Sequence, residues 1–289
     1  MIGFIGSVFS PWYRWSGRRN PANHCCLNVA TYGRGGCWTM TDRGQEALSL
    51  SEDTIRIGPS AMHWDGGKLI VCINELSTPY AQHLSGRVVV RPSALTDVEL
   101  PLTGDGSHIW RPFAPSADID VMLNRPGWQW RGHGYFDANF GTRALEADFS
   151  YWTWGRFPLS TGAACFYDAV RRDGPNLSTA IGFTHDGQAQ VMQMPPKAPL
   201  RRPFWLVKRE TRADAGYCPE QVKVLLDAPF YTRSVVRTRI NGEETTGVHE
   251  ALDLNRFASN WLMPMLAVRV PRRTRWPGQN LFPAPRPSI

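Results

Sequence analysis

Short runs of alternating apolar and polar residues, each ended by Gly, Pro, Asp or Asn, dominate the chain and leave it few ways to fold. Lys68–Leu76, Gly86–Arg91 and Ala117–Leu123 carry the pattern most plainly. Side chains on an extended strand alternate between two faces, so such runs predict antiparallel strands with one face buried and the other wet. In the last run Ile119, Val121 and Leu123 share one face and Asp118 and Asp120 the other, which reads the two carboxylates as a solvated strand face. Ala164–Val170, Ala180–Thr184, Phe204–Thr211, Gln221–Leu226 and Ser234–Asn241 continue the β pattern. Only Thr142–Phe149 and Ala251–Asn260 read as helices, and both are too short for a bundle.

A chain of 289 residues can bury a full core, and two domains are the expectation. The pattern breaks at Arg156–Gly162, where Phe157-Pro158 and Thr161-Gly162 interrupt it, so the boundary is placed after Phe157. The expected domains are 1–157 and 158–289. Each has the size at which an antiparallel sheet closes into a barrel or sandwich around one ligand, and the expected class is all-β.

The net charge of +7 suits an anionic surface, but the basic pairs Arg201-Arg202 and Arg272-Arg273 are short and scattered, which argues against nucleic acid. Met1–Ser10 is apolar without a basic start, and Pro11, Trp12, Tyr13 and Trp15 follow it in place of a small-residue cleavage site, so no secretion is expected. No apolar stretch approaches the ~18 to 20 residues of a spanning helix, so any membrane attachment is expected to be peripheral. The six cysteines, at 25, 26, 37, 72, 165 and 218, show no C-x-x-C spacing. They read as reduced, mostly buried thiols, and adjacent Cys25 and Cys26 beside His24 fit tetrahedral ligation poorly, so no metal is assigned. Phosphate-binding Gly loops and a G-x-S-x-G elbow are absent, and His249-Glu250 lacks the second His of a zinc protease.

Aromatic and acidic groups concentrate between His108 and Trp154 in a chain with 12 Trp. Period-two alternation puts His108 and Trp110 on one face, Tyr135 and Asp137 on one face, and Trp152 and Trp154 on one face. Three extended segments could thus surround one cavity with a carboxyl, a phenol, an imidazole and indoles. In this region and near the N-terminus, Ser7-Val-Phe-Ser-Pro-Trp-Tyr13, Arg111-Pro-Phe-Ala-Pro115, Gly132-His-Gly-Tyr-Phe-Asp-Ala-Asn-Phe-Gly141 and Tyr151-Trp-Thr-Trp-Gly155 closely resemble the acyclic carotenoid 1,2-hydratases, also called hydroxyneurosporene synthases, of purple photosynthetic bacteria. The resemblance implies a two-domain, lipocalin-like β fold and a hydro-lyase that adds water to the ψ end of neurosporene or lycopene without a cofactor. It also implies that His108, Trp110, Tyr135 and Asp137 form the catalytic group. Its further implications are a cytoplasmic protein on the inner or intracytoplasmic membrane, and other carotenoid-pathway enzymes as partners.

The chemistry accounts for those residue types. Hydrating an unactivated trisubstituted alkene requires a proton at carbon 2 and generates a tertiary cation at carbon 1. A free Asp ionises near ~3.9, so holding Asp137 protonated near neutrality means raising its pKa by about three units, or roughly 4 kcal/mol, which desolvation by aromatic walls can supply. Ring quadrupoles stabilise a desolvated cation by up to ~2 kcal/mol each, which gives Trp110 and Tyr135 a role and makes Trp152 and Trp154 candidate substrate contacts, with core filling the alternative for those two indoles. His108 could orient water, accept its proton, or hydrogen-bond Asp137. A long polyene approaches the ~30 Å of a bilayer core, so a small barrel would take one end of it. That favours peripheral association with an anionic membrane, for which the Arg-rich tail Arg269–Ile289, with Trp276 and Phe282, is suited, a disordered or surface-packed tail being the alternative. Two rivals use the same pattern: a polyene cyclase or isomerase, and a non-catalytic carotenoid-binding lipocalin.

Overall fold

A computed structural model describes residues 1–273. Antiparallel strands dominate it, as the alternation predicts. The described chain forms two interleaved compact units, one of residues 1–91, 118–133 and those from Asn260 onward, the other of residues 92–117 and 134–259. Among the described residues the hydrogen-bonded ladders are open at their edges and close no barrel.

In the first unit, Leu48–Leu50, Thr54–Ile57, Ser60–Asp65, Lys68–Leu76 and His83–Pro92 pair in sequence order as a meander. Their inward positions, among them Ile57, Val71, Ile73, Leu84 and Val88, are nearly inaccessible. Asp118 is exposed and Asp120 meets Arg91 and Arg131, the solvated strand face expected of them. The Ser-Pro-Trp-Tyr motif starts the helix Pro11–Trp15: the Ser10 hydroxyl accepts the Tyr13 N–H and Pro11 sits where no N–H is needed. That helix, and Leu262–Arg269, carry no breaker pattern strong enough to be expected from sequence. The basic aromatic tail lies outside the described residues from position 274, with Trp276 and Phe282 in it.

The second unit is built on a seven-stranded antiparallel sheet. Its spatial order is Ala189–Val191, Leu177–Thr184, Gly162–Arg171, Phe149–Leu159, Glu243–Asp253, Tyr231–Ile240 and Glu220–Asp227. One face packs Phe157, Ala164, Phe166, Ala180, Val236 and Ile240 with Leu200 into a dry core. Removing a ring such as that of Phe157 would cost about 3–5 kcal/mol. The expected boundary after Phe157 falls inside Phe149–Leu159, and the break at Arg156–Gly162 corresponds to a hairpin in which Leu159 pairs with Gly162. Gly and Pro punctuate a hairpin as they would a linker.

Phe204–Thr211, expected as a strand, is extended only at its end. Glu210–Arg212 pairs with Lys197–Pro199, whereas Pro203–Leu206 forms a turn closed by the Leu206 N–H on the Pro203 carbonyl at 3.0 Å. The predicted helices shrink to Leu145–Asp148 and Leu254–Phe257.

Candidate active site

All six residues singled out from sequence lie in the second unit. The strand His108–Arg125 carries His108 and Trp110 two positions apart, and both are buried. The strand Trp128–Gly141 carries Tyr135 and Asp137, which keep partial solvent access. On the reverse faces of these strands Phe113 and Phe136 stack with ring centroids 5.4 Å apart, which fixes the side to which Asp137 points.

The Trp110 indole N–H donates to Asp137 Oδ2 at 2.8 Å. An indole N–H can only donate, so Oδ2 accepts, which favours Oδ1 as the seat of a proton on this carboxyl. Burial raises the Asp137 pKa to about 6; the Trp110 hydrogen bond opposes that rise, the Glu250 carboxylate adds to it and Arg233 offsets it. The value stops short of neutrality because the indole N–H stabilises the ionised form. Burial, with help from Asp137 and Glu250, also holds Tyr135 well above the ordinary phenol range, so it remains a hydroxyl donor.

Five rings, those of Tyr135 and Trp110 among them, form an unbroken chain beside Asp137. Tyr135 lies 5.0 Å from Trp154, Trp154 lies edge-on to Trp110 at 6.4 Å, Trp110 lies 5.8 Å from Tyr167, and Tyr167 lies 5.7 Å from Trp152. The structure thus brings together Trp110, Tyr135, Asp137, Trp152 and Trp154. Among the described residues the indole nitrogens of Trp152 and Trp154 are buried donors without an acceptor, a condition that costs about 1–3 kcal/mol each and suits them to a ligand oxygen.

His108 is oriented elsewhere. Its Nε2 meets Asp148 Oδ2 at 2.7 Å, and Arg143 Nη2 holds the other oxygen of Asp148 at 2.7 Å. The imidazole packs on Phe149 with centroids 5.2 Å apart. Of the roles open to His108, the hydrogen bond to Asp137 is not formed, because Trp110 supplies it. Gly141 makes room for the imidazole, since a Cβ there would lie 2.5 Å from His108 Nδ1.

Strand pairing adds three residues that spacing could not reveal. Tyr167 lies opposite Trp154, Trp154 opposite Glu250, and Glu250 opposite Arg233, one row across four strands. Arg233 Nη2 meets Glu250 Oε1 at 2.5 Å, both largely buried. Glu250, which as His249-Glu250 resembled half of a zinc motif, instead brings a second carboxylate to the aromatic face. His249 falls on the opposite face, its Nε2 2.8 Å from the Glu210 carbonyl, and burial lowers its pKa to about 4.

An acid tuned by desolvation, bonded to an indole and lined by rings is the equipment for protonating a π bond. The sequence profile of the family described as carotenoid hydratase CrtC matches residues 1–279. The chain belongs to that family. It is 62% identical over 277 residues to the acyclic carotenoid 1,2-hydratase of Cereibacter sphaeroides, covering 96% of this chain and 99% of that one. With the acyclic carotenoid 1,2-hydratase of Rhodobacter capsulatus it shares 56% identity over 278 residues, with the same coverage, 96% and 99%. A crystal structure of CghA overlaps 80% of this chain and 84% of its own at a TM-score of 0.45 and 10% identity, too weak a likeness to bear on the fold. As a member of the carotenoid hydratase family the chain is a hydro-lyase, and its all-β architecture brings a carboxyl and five aromatic rings together from four strands of two sheets.

Proposed function

We propose that this hydratase adds water across the terminal, ψ-end double bond of an acyclic carotenoid such as neurosporene or lycopene, with Asp137 as the proton donor. The observation that carries the reading is the Trp110–Asp137 hydrogen bond within a chain of aromatic rings. With Oδ2 occupied by the indole, the acid proton leaves Oδ1 for carbon 2, and the π electrons form the new C–H bond. The tertiary cation at carbon 1 is stabilised by the faces of Trp110, Tyr135 and Trp154. Water forms the C–O bond at carbon 1, and the proton it releases returns to the Asp137 carboxylate, so the sum is alkene plus water. Tyr135, kept as a phenol, is placed to orient that water; Trp152 and Trp154 contact substrate and offer their N–H groups to the product hydroxyl. His108, bound to Asp148, acts by holding its strand in place.

A polyene of this length is carried by lipid, so we assign the protein a peripheral place on the cytoplasmic side of an anionic bacterial membrane, beside the enzymes that make and consume the same polyene. Among the described residues no helix is long and apolar enough to cross a membrane.

Reaction in oxygen-18 water separates the readings. A hydratase puts one labelled oxygen into the product. A cyclase or isomerase on the same site converts the polyene without label, and a carrier binds it unchanged. Either of the last two results would overturn the proposal.

A further inference from the structure

We propose that the Arg201–Lys208 loop is an insertion tip that seats this enzyme on an anionic phospholipid bilayer. This deepens the peripheral attachment proposed above and rests on it. Three consecutive apolar side chains are given to solvent at this tip: Phe204 is 84% exposed, Trp205 41% and Leu206 58%. Immediately after them Val207 is 0% and Arg209 2% exposed, so the chain switches abruptly from outward to inward. The turn at Pro203–Leu206 holds Leu206 at φ 57, a left-handed conformation a Leu adopts only when its surroundings impose it.

The base of the loop is tied down. Arg256 Nη1 donates to the Trp205 carbonyl at 2.6 Å, the Tyr151 hydroxyl donates to the Lys208 carbonyl at 2.9 Å, and Arg209 Nη1 donates to Ser234 Oγ at 2.6 Å. A preformed tip inserts without the entropic cost of ordering a free loop.

Charge selects the partner. Arg201 and Arg202 precede the apolar triplet, are exposed, and among the described residues neither is ion-paired. Lys208, on the other flank, already meets Glu210 at 3.0 Å and contributes less. Cations beside an aromatic and aliphatic tip match the headgroup and upper acyl layers of an anionic leaflet. A second copy packing its tip on this one about a two-fold axis would instead bring four unpaired guanidinium groups together.

The loop lies at the Tyr151 end of the seven-stranded sheet, on the face opposite Trp152 and Trp154, because Tyr151 and Ser234, which hold it, alternate away from Trp152 and Arg233. Tyr151 adjoins Trp152, and Arg256 also donates to the Pro229 carbonyl at 3.1 Å, just before Tyr231. Trp152, Leu252 and Tyr231 form one cross-strand row at that end of the sheet.

The test is flotation of the full chain with carotenoid-free vesicles of neutral phosphatidylcholine, with and without phosphatidylglycerol, beside turnover of carotenoid in detergent micelles. The Phe204→Ser/Leu206→Ser double variant should lower vesicle partition by about ten-fold or more, and Arg201→Gln/Arg202→Gln should abolish the preference for anionic vesicles. Micellar turnover should stay at the wild-type level in both. Wild-type partition in both double variants, an apolar variant whose only change is dissociation of an oligomer in sedimentation velocity, or an equal loss of micellar turnover would each overturn the assignment. Because the vesicles hold no carotenoid, binding through the loop by a chain that hydrates nothing would sink the hydratase reading alone.

Discussion

Trp110 donates its indole N–H to Oδ2 of Asp137 at 2.8 Å, which favours Oδ1 as the oxygen that carries the acid proton. Replacing Trp110 with Phe keeps a ring in place and removes only this donor. The ionised form of Asp137 then loses a charge-assisted hydrogen bond worth about 1.5–3 kcal/mol. We expect the pKa governing kcat/KM to move up from about 6 and kcat to fall about ten-fold or more, read from a pH–rate profile.

Glu250→Gln should move that profile the other way. The Glu250 carboxylate raises the Asp137 pKa, and removing its charge leaves Arg233 to lower it. In the proposed reaction the acid form of Asp137 is the active one, so activity present below the pKa is lost as pH rises through it. The variant should therefore lose activity at lower pH than wild type. It also strips a charged partner from a largely buried guanidinium, so a stability loss of about 1–3 kcal/mol should appear in denaturant melts.

Folding stability near Asp137 has a pH signature of its own. The folded-state pKa of about 6 exceeds the ordinary 3.8, so the folded protein binds this proton more tightly than the unfolded chain. Below about pH 4 both states are protonated. Above about pH 6 the folded state bears a buried carboxylate at a cost of at most about 3 kcal/mol, reduced by the partial solvent access of the side chain. Asp137→Asn should match wild type in stability at pH 4 and exceed it at pH 8, as measured by urea unfolding at both values.

His108→Gln should cost stability more than turnover. Its imidazole and the Asp148 carboxylate are both buried and joined at 2.7 Å, and losing a buried hydrogen bond to a carboxylate costs about 1–3 kcal/mol. The melting temperature should fall while the pH limb stays where Asp137 sets it. A shifted limb with an unchanged melting temperature would give His108 a part in proton transfer.

Period-two alternation made the strands legible because it is a local property: Lys68–Leu76 is a strand over the span its pattern marks. The same rule placed Trp152 with Trp154 and Tyr135 with Asp137 on shared faces. Cross-strand register is not local, so nothing in the sequence could show Tyr167 and Glu250 flanking Trp154. His108 and Trp110 share a face as expected, yet the partner of the imidazole, Asp148, comes from the one-turn helix left of the predicted Thr142–Phe149, a contact that no local pattern shows. Phe204–Leu206 looked like strand because apolar residues there read as burial, whereas the chain exposes them. The expected domain boundary falls beside a hairpin whose Pro and Gly resemble those of a linker.

The most direct measurement is turnover of neurosporene by purified Asp137→Asn beside wild type at pH 6, in oxygen-18 water, with folding of both verified. Asn still accepts from the Trp110 N–H but has no proton to give, so we predict one labelled tertiary hydroxyl in the wild-type product and no hydration above background in the variant. A labelled product formed by Asp137→Asn at the wild-type rate would contradict the account.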